Sequence, residues 1–290
     1  MTLSTRIILH AYLEKCPSEE RRQLAHYLEP TERQAVLSVP KTYGDPLKSQ
    51  EDPAHLLNWI HASWISPFLR TMAEKEIGLF LASLSHERAA TVGKDLLFSG
   101  PLPVLSPLGK TFLQSTLVRY LTAEVDDLLP RECLPESPLN DLLTLSTDTM
   151  VEFLDLLGLH DLAVEVKQII DKQKLAKIYD ILSENQHHYL KILLQSPEPV
   201  AFTPIGLFNW NGDKEKLKML IQQRGANRLA KALYGQDVSL NWYVLHRFNV
   251  EKALLIRKLS TTLDNPRASQ LLIQQVIELI NYIQQGNPNV

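Results

Sequence analysis

The sequence predicts an all-α protein made of stacked helical modules. Apolar residues recur every three or four positions along most of the chain, which is the period of an amphipathic helix and not that of a strand. Only 11 of the 290 residues are glycine, whereas the tight turns of β-hairpins depend on glycine. Helices as short as these bury their apolar faces only by packing on one another. We therefore expect modules of the armadillo or HEAT type, joined by proline-rich linkers.

Proline-rich segments divide the predicted helices into four modules. Proline interrupts a helix because it lacks a backbone donor and its ring clashes with the preceding turn. Residues 39–51, 98–107 and 129–138 are therefore interpreted as linkers or module boundaries, and Pro197-Glu198-Pro199 as a fourth boundary. The resulting modules are residues 1–39, 52–124 (armadillo-like), 139–196 and 200–290.

A faint internal repeat links the first two predicted modules. Residues 24–36 and 80–92 each read as a helix, a polar turn, a Glu-Arg pair and a second helix. Ser18 is placed to cap a helix that carries Leu24 on its apolar face. The second module also contains a long predicted helix over 108–124. Its inward face is expected to hold Phe112, Leu113, Leu117, Tyr120 and Leu121.

The last two modules are predicted to contain more short helices. Gly225 and Gly235 are expected to end helices, because a glycine in the left-handed conformation closes the last turn. Ser239 is the expected cap of the helix that follows, and the final helix covers residues 269–285. The helices of the third module are predicted at 139–145, 151–157, 162–171, 175–182 and 187–195.

Composition and charge argue against several classes of function. The net charge is −3, so no basic field favours nucleic acid. We find no glycine-rich phosphate loop and expect no cofactor. No apolar run approaches the length of a membrane span, and the N-terminus lacks the layout of a secretory signal. Cys16 and Cys133 are far apart in the sequence and are expected to stay free thiols in a reducing cytosol.

His160-Asp161 is the candidate for metal chemistry. An adjacent His-Asp pair ligates a metal in helical phosphohydrolases of the HD type, but such sites also need an earlier histidine and a later aspartate. The nearest earlier histidine is His86, which lies beyond two proline-rich segments. The favoured interpretation is that Asp161 caps a helix, with its charge at the positive helix end. We therefore expect no metal site and no catalytic residue, and a divergent metal phosphohydrolase is the alternative.

Other residues that attract attention have structural interpretations. Adjacent histidines on a helix do not face one another, so His187-His188 is interpreted as solvated surface. Trp59, Trp64 and Trp242 lie on predicted apolar helix faces. We expect these three tryptophans to belong to the core.

Basic residues in the C-terminal third are the candidates for protein binding. They recur across three consecutive predicted helices. A solvated helix face is the ordinary interpretation of such a pattern, and a surface for an anionic partner is the alternative. The candidates are Arg224, Arg228, Lys231, Arg247 and Arg257.

The C-terminal third carries a recognisable series of segments. They are residues 202–207, 217–223, Leu229-Ala-Lys-Ala-Leu-Tyr-Gly235, Leu245-His-Arg-Phe-Asn-Val-Glu-Lys-Ala253 and the terminal helix. On these segments the chain resembles the C-terminal domain of the flagellar rotor-switch proteins of the FliG family. More weakly, residues 77–84 and 87–96 resemble that family's armadillo-like middle domain. The resemblance implies stacked helical modules at the cytoplasmic base of a flagellum-type export machine.

The chain departs from this family at positions that carry the family's motor function. Tyr234 stands where the family has a basic residue, and Glu251 lies near the position of an arginine. Lys258-Leu259 falls near an acidic pair of the family. The ring-binding Glu-His-Pro-Gln motif would fall near Met72-Ala-Glu-Lys75 and is absent. The resemblance therefore implies a scaffold that lacks the charges used to generate torque.

We expect a non-catalytic scaffold or adaptor of a flagellar-type or type III secretion basal apparatus, located in the bacterial cytoplasm and peripheral to the inner membrane. The expected partners are other secretion or basal-body proteins, from the membrane ring or the cytoplasmic ring, and self-association is left open. Neither nucleic-acid binding nor a membrane span is expected. The alternatives are the divergent HD-type phosphohydrolase and a helical-repeat adaptor unrelated to secretion.

Overall fold

The structure, a computed structural model, describes residues 1–48, 52–198, 200, 202–262 and 266–285. Apart from an isolated β-bridge between Thr42 and Pro135, the regular structure in these ranges is helical. The predicted all-α class is therefore confirmed. The α-helices are α1 (Leu3–Lys15), α2 (Ser18–His26), α3 (Pro30–Leu37), α4 (Pro53–Trp59), α5 (Ser66–Leu69), α6 (Glu74–Ser83), α7 (His86–Asp95), α8 (Pro107–Leu121), α9 (Thr147–Val166), α10 (Lys172–Ile181), α11 (Glu184–Gln195), α12 (Lys214–Leu233), α13 (Val238–His246), α14 (Val250–Leu259) and α15 (Pro266–Gln284).

The chain divides into two compact units. The first unit contains Met1–Asn140 together with Gln236–Val250, and the second contains Asp141–Gly235 together with the chain from Glu251 onward. A short segment from the C-terminal third, which includes α13, thus packs with the N-terminal half. The four modules predicted from the sequence remain a prediction, and the boundary at Pro199 lies outside the described residues.

The segment around α13 is bound into the first unit by aromatic side chains and by backbone hydrogen bonds. The His246 ring stacks on Trp64 and on Trp242, with ring centres 4.0 and 3.9 Å away. The Tyr243 hydroxyl donates to the Leu129 carbonyl at 2.9 Å. The Leu129 amide in turn donates to the Ser239 hydroxyl at 3.1 Å. Residues 129–138 are therefore not a free linker, because Leu129 is part of a buried contact.

Two predictions for the first unit are wrong because the side chains face outward. Phe112 and Tyr120 were expected inside, yet 69% and 44% of their surfaces are exposed. The inward positions predicted for Leu117 and Leu121 are confirmed, and Gln114 is buried beside them on α8. Gln114 is held there because its side-chain amide donates to the Ser83 carbonyl at 2.7 Å.

The long helix α9 is the centre of the second unit. It runs without a break where the sequence predicted two separate helices at 151–157 and 162–171. Twelve of its 20 residues are buried, so it is covered on more than one side, by α11, α12 and α15. A helix that is apolar around most of its circumference has no clear 3.6-residue stripe, which is why the periodicity suggested a break.

The helices α9 and α12 approach most closely where two glycines face one another. A Cβ atom added to Gly158 would lie 2.0 Å from the Ile221 carbonyl oxygen, and one added to Gly225 would lie 1.8 Å from the Leu154 carbonyl oxygen. The prediction that Gly225 ends a helix is therefore wrong. Gly225 is inside α12, and it is glycine because a neighbouring backbone occupies the place of a side chain.

The other predicted terminator is confirmed, whereas the predicted caps Ser18 and Ser239 are wrong. Ser18 is the first residue of α2, and Pro17 holds the cap position. Gly235 follows α12 with a φ of +77°, so its left-handed conformation is confirmed. Ser239 is not the cap of α13, because the Asp237 carboxylate accepts from the Ser239 and Leu240 amides at the start of that helix. Aspartate accepts these terminal N–H groups as well as serine does.

We predict that Gly225→Ala destabilises the second unit by more than about 3 kcal/mol, because the new methyl group forces two helix backbones apart. Gly93→Ala is the matched control. Gly93 is buried in α7, but an added Cβ would lie 3.7 Å from Leu81 Cδ1, an ordinary contact. The control should stay within about 1 kcal/mol of the wild type or gain stability from helix propensity. Urea unfolding followed by circular dichroism measures both variants, and equal effects would contradict the close crossing.

Candidate functional site

The structure places His160 and Asp161 in the middle of α9, so the prediction that Asp161 caps a helix is wrong. Both side chains are buried, and they point to different partners. His160 Nδ1 lies 2.7 Å from Glu198 Oε2, and its Nε2 lies 3.1 Å from the Tyr189 hydroxyl. Both ring nitrogens of His160 are thus occupied by protein groups.

Asp161 pairs with Arg228, whose side chain is 0% exposed. Arg228 Nη2 donates to Asp161 Oδ1 at 2.5 Å, and Nη1 donates to Glu198 Oε1 at 3.2 Å. Gln275 of α15 joins the group, because it accepts from Arg228 at 2.7 Å and donates to Glu198 at 2.6 Å. We call these residues, with His160 and Tyr189, the buried charge network.

Burial and charge shift the two carboxyl groups of the network in opposite directions. Burial disfavours the charged form of Glu198, but the hydrogen bond from His160 and the charge of Arg228 outweigh it and lower the pKa of Glu198 to about 2. Burial raises the pKa of Asp161, although the charge of Arg228 opposes this shift. One guanidinium therefore serves two carboxylates of unequal acidity.

The buried charge network has the geometry of a structural ion pair and not that of a metal site. In the part of the chain that the structure describes, no group of three or more His, Cys, Asp or Glu side chains is arranged to hold a metal ion. Asp161 faces Arg228, and a cation in that position competes with a metal for the same carboxylate. The network links α9, α12, α15 and the segment after α11, so it contributes to packing of the second unit.

The sequence analysis interpreted His187-His188 as solvated surface. His187 is not simply solvated, because its Nε2 lies 2.6 Å from the Tyr179 carbonyl and its ring contacts the Tyr179 ring. At the start of α12, the Asp213 carboxylate accepts from the Lys216 amide at 3.1 Å and so caps that helix.

The five basic residues predicted to bind a partner do not share one exposed face. Arg228 and Arg247 are buried, and Arg247 belongs to the first unit. Arg224 donates to the Pro204 carbonyl at 2.9 Å, and Lys231 donates to the carbonyl and hydroxyl of Thr261. Arg257 is exposed. The prediction is wrong for the two buried arginines, and partner binding by the other three stays a prediction.

A cavity of about 490 Å³ lies in the first unit, beside α4 and α8. We call it the Trp59 pocket. Its walls carry the apolar residues Leu56 and Val118, together with side chains of both charges. The charged groups that line it are Asp52, Arg119, Asp126, Asp127, Arg131 and Glu132.

Two arginines lie against the indole ring at this pocket. The guanidinium carbons of Arg131 and Arg247 are each 4.2 Å from the centre of the Trp59 ring, a distance typical of cation–π contact. Arg131 also approaches His55 Nε2 at 3.0 Å, and Arg247 Nη1 donates to the Trp59 carbonyl at 3.2 Å. A third arginine, Arg88, donates to the Asn58 carbonyl at 2.5 Å.

The positive charges around Trp59 act on one another. Burial lowers the pKa of Arg247, and the neighbouring charges of Arg131 and Arg88 lower it further. Like charges brought together at a partly buried site cost stability, and such clusters are found preferentially at functional sites. The Trp59 pocket is therefore the candidate binding site of the first unit.

Sequence reasoning did not find this pocket, because its parts come from distant segments. Trp59 ends α4, Arg131 begins a 3₁₀ turn (Arg131–Cys133), and Arg247 follows α13. Trp59 was predicted as core, and it is half-buried beneath guanidinium groups. No local spacing signals an arrangement that depends on the tertiary fold.

Comparison of the chain with protein-family models, with curated proteins and with solved structures finds no match. Among the helices that the structure describes, none combines the length and the apolar character needed to cross a bilayer.

We predict that Arg228→Met destabilises the protein by about 3–5 kcal/mol, because it leaves two buried carboxyl groups without their cation. Methionine keeps the apolar stem, so the loss reports mainly on charge. Arg224→Met, one turn earlier on α12, removes a half-exposed cation with one hydrogen bond to a carbonyl, and should cost at most about 1.5 kcal/mol. Thermal and urea unfolding measure both. Similar losses for the two variants would show that the buried charge network does not carry the effect.

We predict a pH dependence that belongs to Glu198. Its folded-state pKa of about 2 lies below the ordinary value of 4.5, so its ionised form stabilises the fold fully above about pH 4.5, and this contribution is lost as the pH falls toward 2. The Glu198→Gln variant lacks this stabilising contribution. Asp161 is present in both proteins, so its own titration cancels in the comparison. The difference in unfolding free energy between wild type and variant should be constant above pH 4.5 and shrink below it. A difference that does not change with pH contradicts this assignment.

Proposed function

We propose that this protein is a non-catalytic scaffold or adaptor of a flagellar-type or type III secretion basal apparatus. The resemblance of the C-terminal third to the FliG family supports this choice of apparatus, and so does the all-helical fold. The finer assignment to FliG-like, armadillo-like or HEAT-like stacking belongs to the same proposal. Its location at the cytoplasmic face of the inner membrane follows from the apparatus proposed.

The observation that carries the scaffold proposal is a series of exposed apolar side chains in the first unit. Contiguous exposed apolar surface marks interaction sites on monomeric proteins, whereas single exposed apolar residues are normal. We call the series the apolar strip. Its members, with their exposed fractions, are Leu97 (91%), Leu102 (46%), Val104 (100%), Leu108 (82%) and Phe112 (69%).

The backbone beneath the apolar strip is anchored. Phe98 lies against Gly78 of α6 and against Gly100, where added Cβ atoms would come within 3.3 and 2.8 Å of Phe98 Cζ. Pro103 also contacts the Gly78 position. On α8, Leu108 and Phe112 are four residues apart and so share one helix face. A fixed apolar surface of this kind is suited to bind an apolar surface of another protein, because little entropy is lost in ordering it.

The same observations weigh on the alternatives. A metal phosphohydrolase centred on His160-Asp161 is disfavoured, because His160 is committed to Glu198 and Tyr189 and because Asp161 is committed to Arg228. A helical-repeat adaptor unrelated to secretion would use the apolar strip equally well. The identity of the bound partners therefore separates it from the proposed function.

We predict that replacing Leu108 and Phe112 together by serine lowers recovery of partner proteins by at least about tenfold, the effect of losing about 1.4 kcal/mol of binding. The tagged protein is cross-linked in the source bacterium, and co-purified proteins are quantified by mass spectrometry. Tyr27→Ser is the matched control, because Tyr27 is an equally exposed aromatic residue (86%) of the same unit outside the strip. Both variants should retain their folding stability within about 0.5 kcal/mol.

The proposal expects membrane-ring or cytoplasmic-ring components of a secretion or flagellar base among the partners whose recovery falls. Partners that depend on the strip but belong to another pathway would contradict the secretion assignment and favour the unrelated adaptor. Recovery that does not change with the double replacement would place the interface elsewhere.

A further inference from the structure

We propose that the Trp59 pocket binds a peptide segment of a partner protein through one carboxylate side chain, held by Arg131. The inference rests on the proposed function only in so far as that function requires the first unit to bind another protein. The Trp59 pocket shares no residue with the apolar strip. The partner must present a carboxylate side chain to it.

Arg131 is the residue whose guanidinium group can bind an anionic ligand in the pocket. It lines the pocket, and its contacts are the neutral partners His55 and Trp59. Among the described residues no carboxylate lies within ion-pair distance of it. A guanidinium is rigid and presents two parallel N–H groups that match a carboxylate. Stacking on Trp59 holds the guanidinium plane in a fixed orientation. The Arg131 side chain therefore loses little conformational entropy when a ligand binds.

The neighbouring arginines make an anion favourable at this position. Arg247 and Arg88 do not line the cavity, but both act on the charge around Trp59. The charges of Arg131 and Arg88 both act on Arg247, and a negative charge bound at Arg131 would attract the Arg247 guanidinium and offset the repulsion between Arg131 and Arg247. Binding of a carboxylate should therefore relieve a strain that the fold carries.

The remaining pocket walls favour a single carboxylate over a polyanion, and the proposed function is the reason to expect that carboxylate on a polypeptide. Four acidic side chains, Asp52, Asp126, Asp127 and Glu132, line the same cavity. They repel a polyanion such as a nucleic acid or a polyphosphate. The cavity of about 490 Å³ has apolar walls at Leu56 and Val118, so it has room for an apolar side chain beside the carboxylate. A segment with one Asp or Glu next to an apolar residue meets these conditions.

A peptide-display selection on the purified full chain tests this inference. A random peptide library is selected for binding to the wild type after depletion on Arg131→Gln. The recovered peptides should carry Asp or Glu at one fixed position beside an apolar residue. Synthesised with blocked termini, they should bind the wild type at least about tenfold more tightly than Arg131→Gln, and replacing the acid by its amide should cause the same loss.

Control variants separate this site from its surroundings. Arg119→Gln removes the other arginine of the pocket and should leave most of the affinity, whereas Arg131→Lys, which keeps the charge without the planar fork, should give an intermediate loss. Circular dichroism checks that each variant is folded. Inorganic phosphate at equal ionic strength should compete no better than chloride.

Three results would overturn the inference. They are a failure to recover any peptide that distinguishes wild type from Arg131→Gln, recovery of peptides without an acidic residue, and competition by phosphate as strong as that of the peptide. Each leaves the dependence of partner recovery on the apolar strip unaffected. A failure of the strip experiment, in turn, leaves the peptide selection interpretable.

Discussion

The second unit depends on one constraint, the close crossing of α9 and α12 at Gly158 and Gly225. Because neither position can hold a side chain, the two helix backbones meet directly. Asp161 and Arg228 each follow a crossing glycine by three residues, so the same contact that joins the helices brings these two charges together. Arg228 Nη2 donates to Asp161 Oδ1 at 2.5 Å, and Glu198 completes the pairing from outside the two helices.

The buried charges of Asp161, Glu198 and Arg228 determine how α9 and α12 align more than they add to the free energy of unfolding. Removing two carboxylates and a guanidinium from water costs free energy that their mutual attraction only partly restores. What the pairing does provide is a unique register, because a shift of α12 along α9 would leave Arg228 and Asp161 buried without partners. We infer that the network selects one register of the crossing.

The sequence was informative where local rules decide the outcome. The helical class and the left-handed Gly235 follow from periodicity and from the backbone freedom of glycine, and both are confirmed. Gly225 was misjudged because a glycine that ends a helix and a glycine that admits a second backbone look alike in one sequence. Arg228 was misjudged because its burial depends on Asp161, 67 residues away. The Trp59 pocket could not be predicted, since its arginines come together only through the packing of distant segments.

In the second unit, the charges of Asp161, Glu198 and Arg228 are paired inside the fold. We infer that α9 and α12 form one cooperative element through their crossing. Native-state hydrogen exchange of the wild type tests this most directly. We expect amides near Gly158 and near Gly225 to exchange with the same opening free energy, which is the highest in the second unit. Exchange of α12 through a separate, lower-energy opening while α9 stays protected would contradict it.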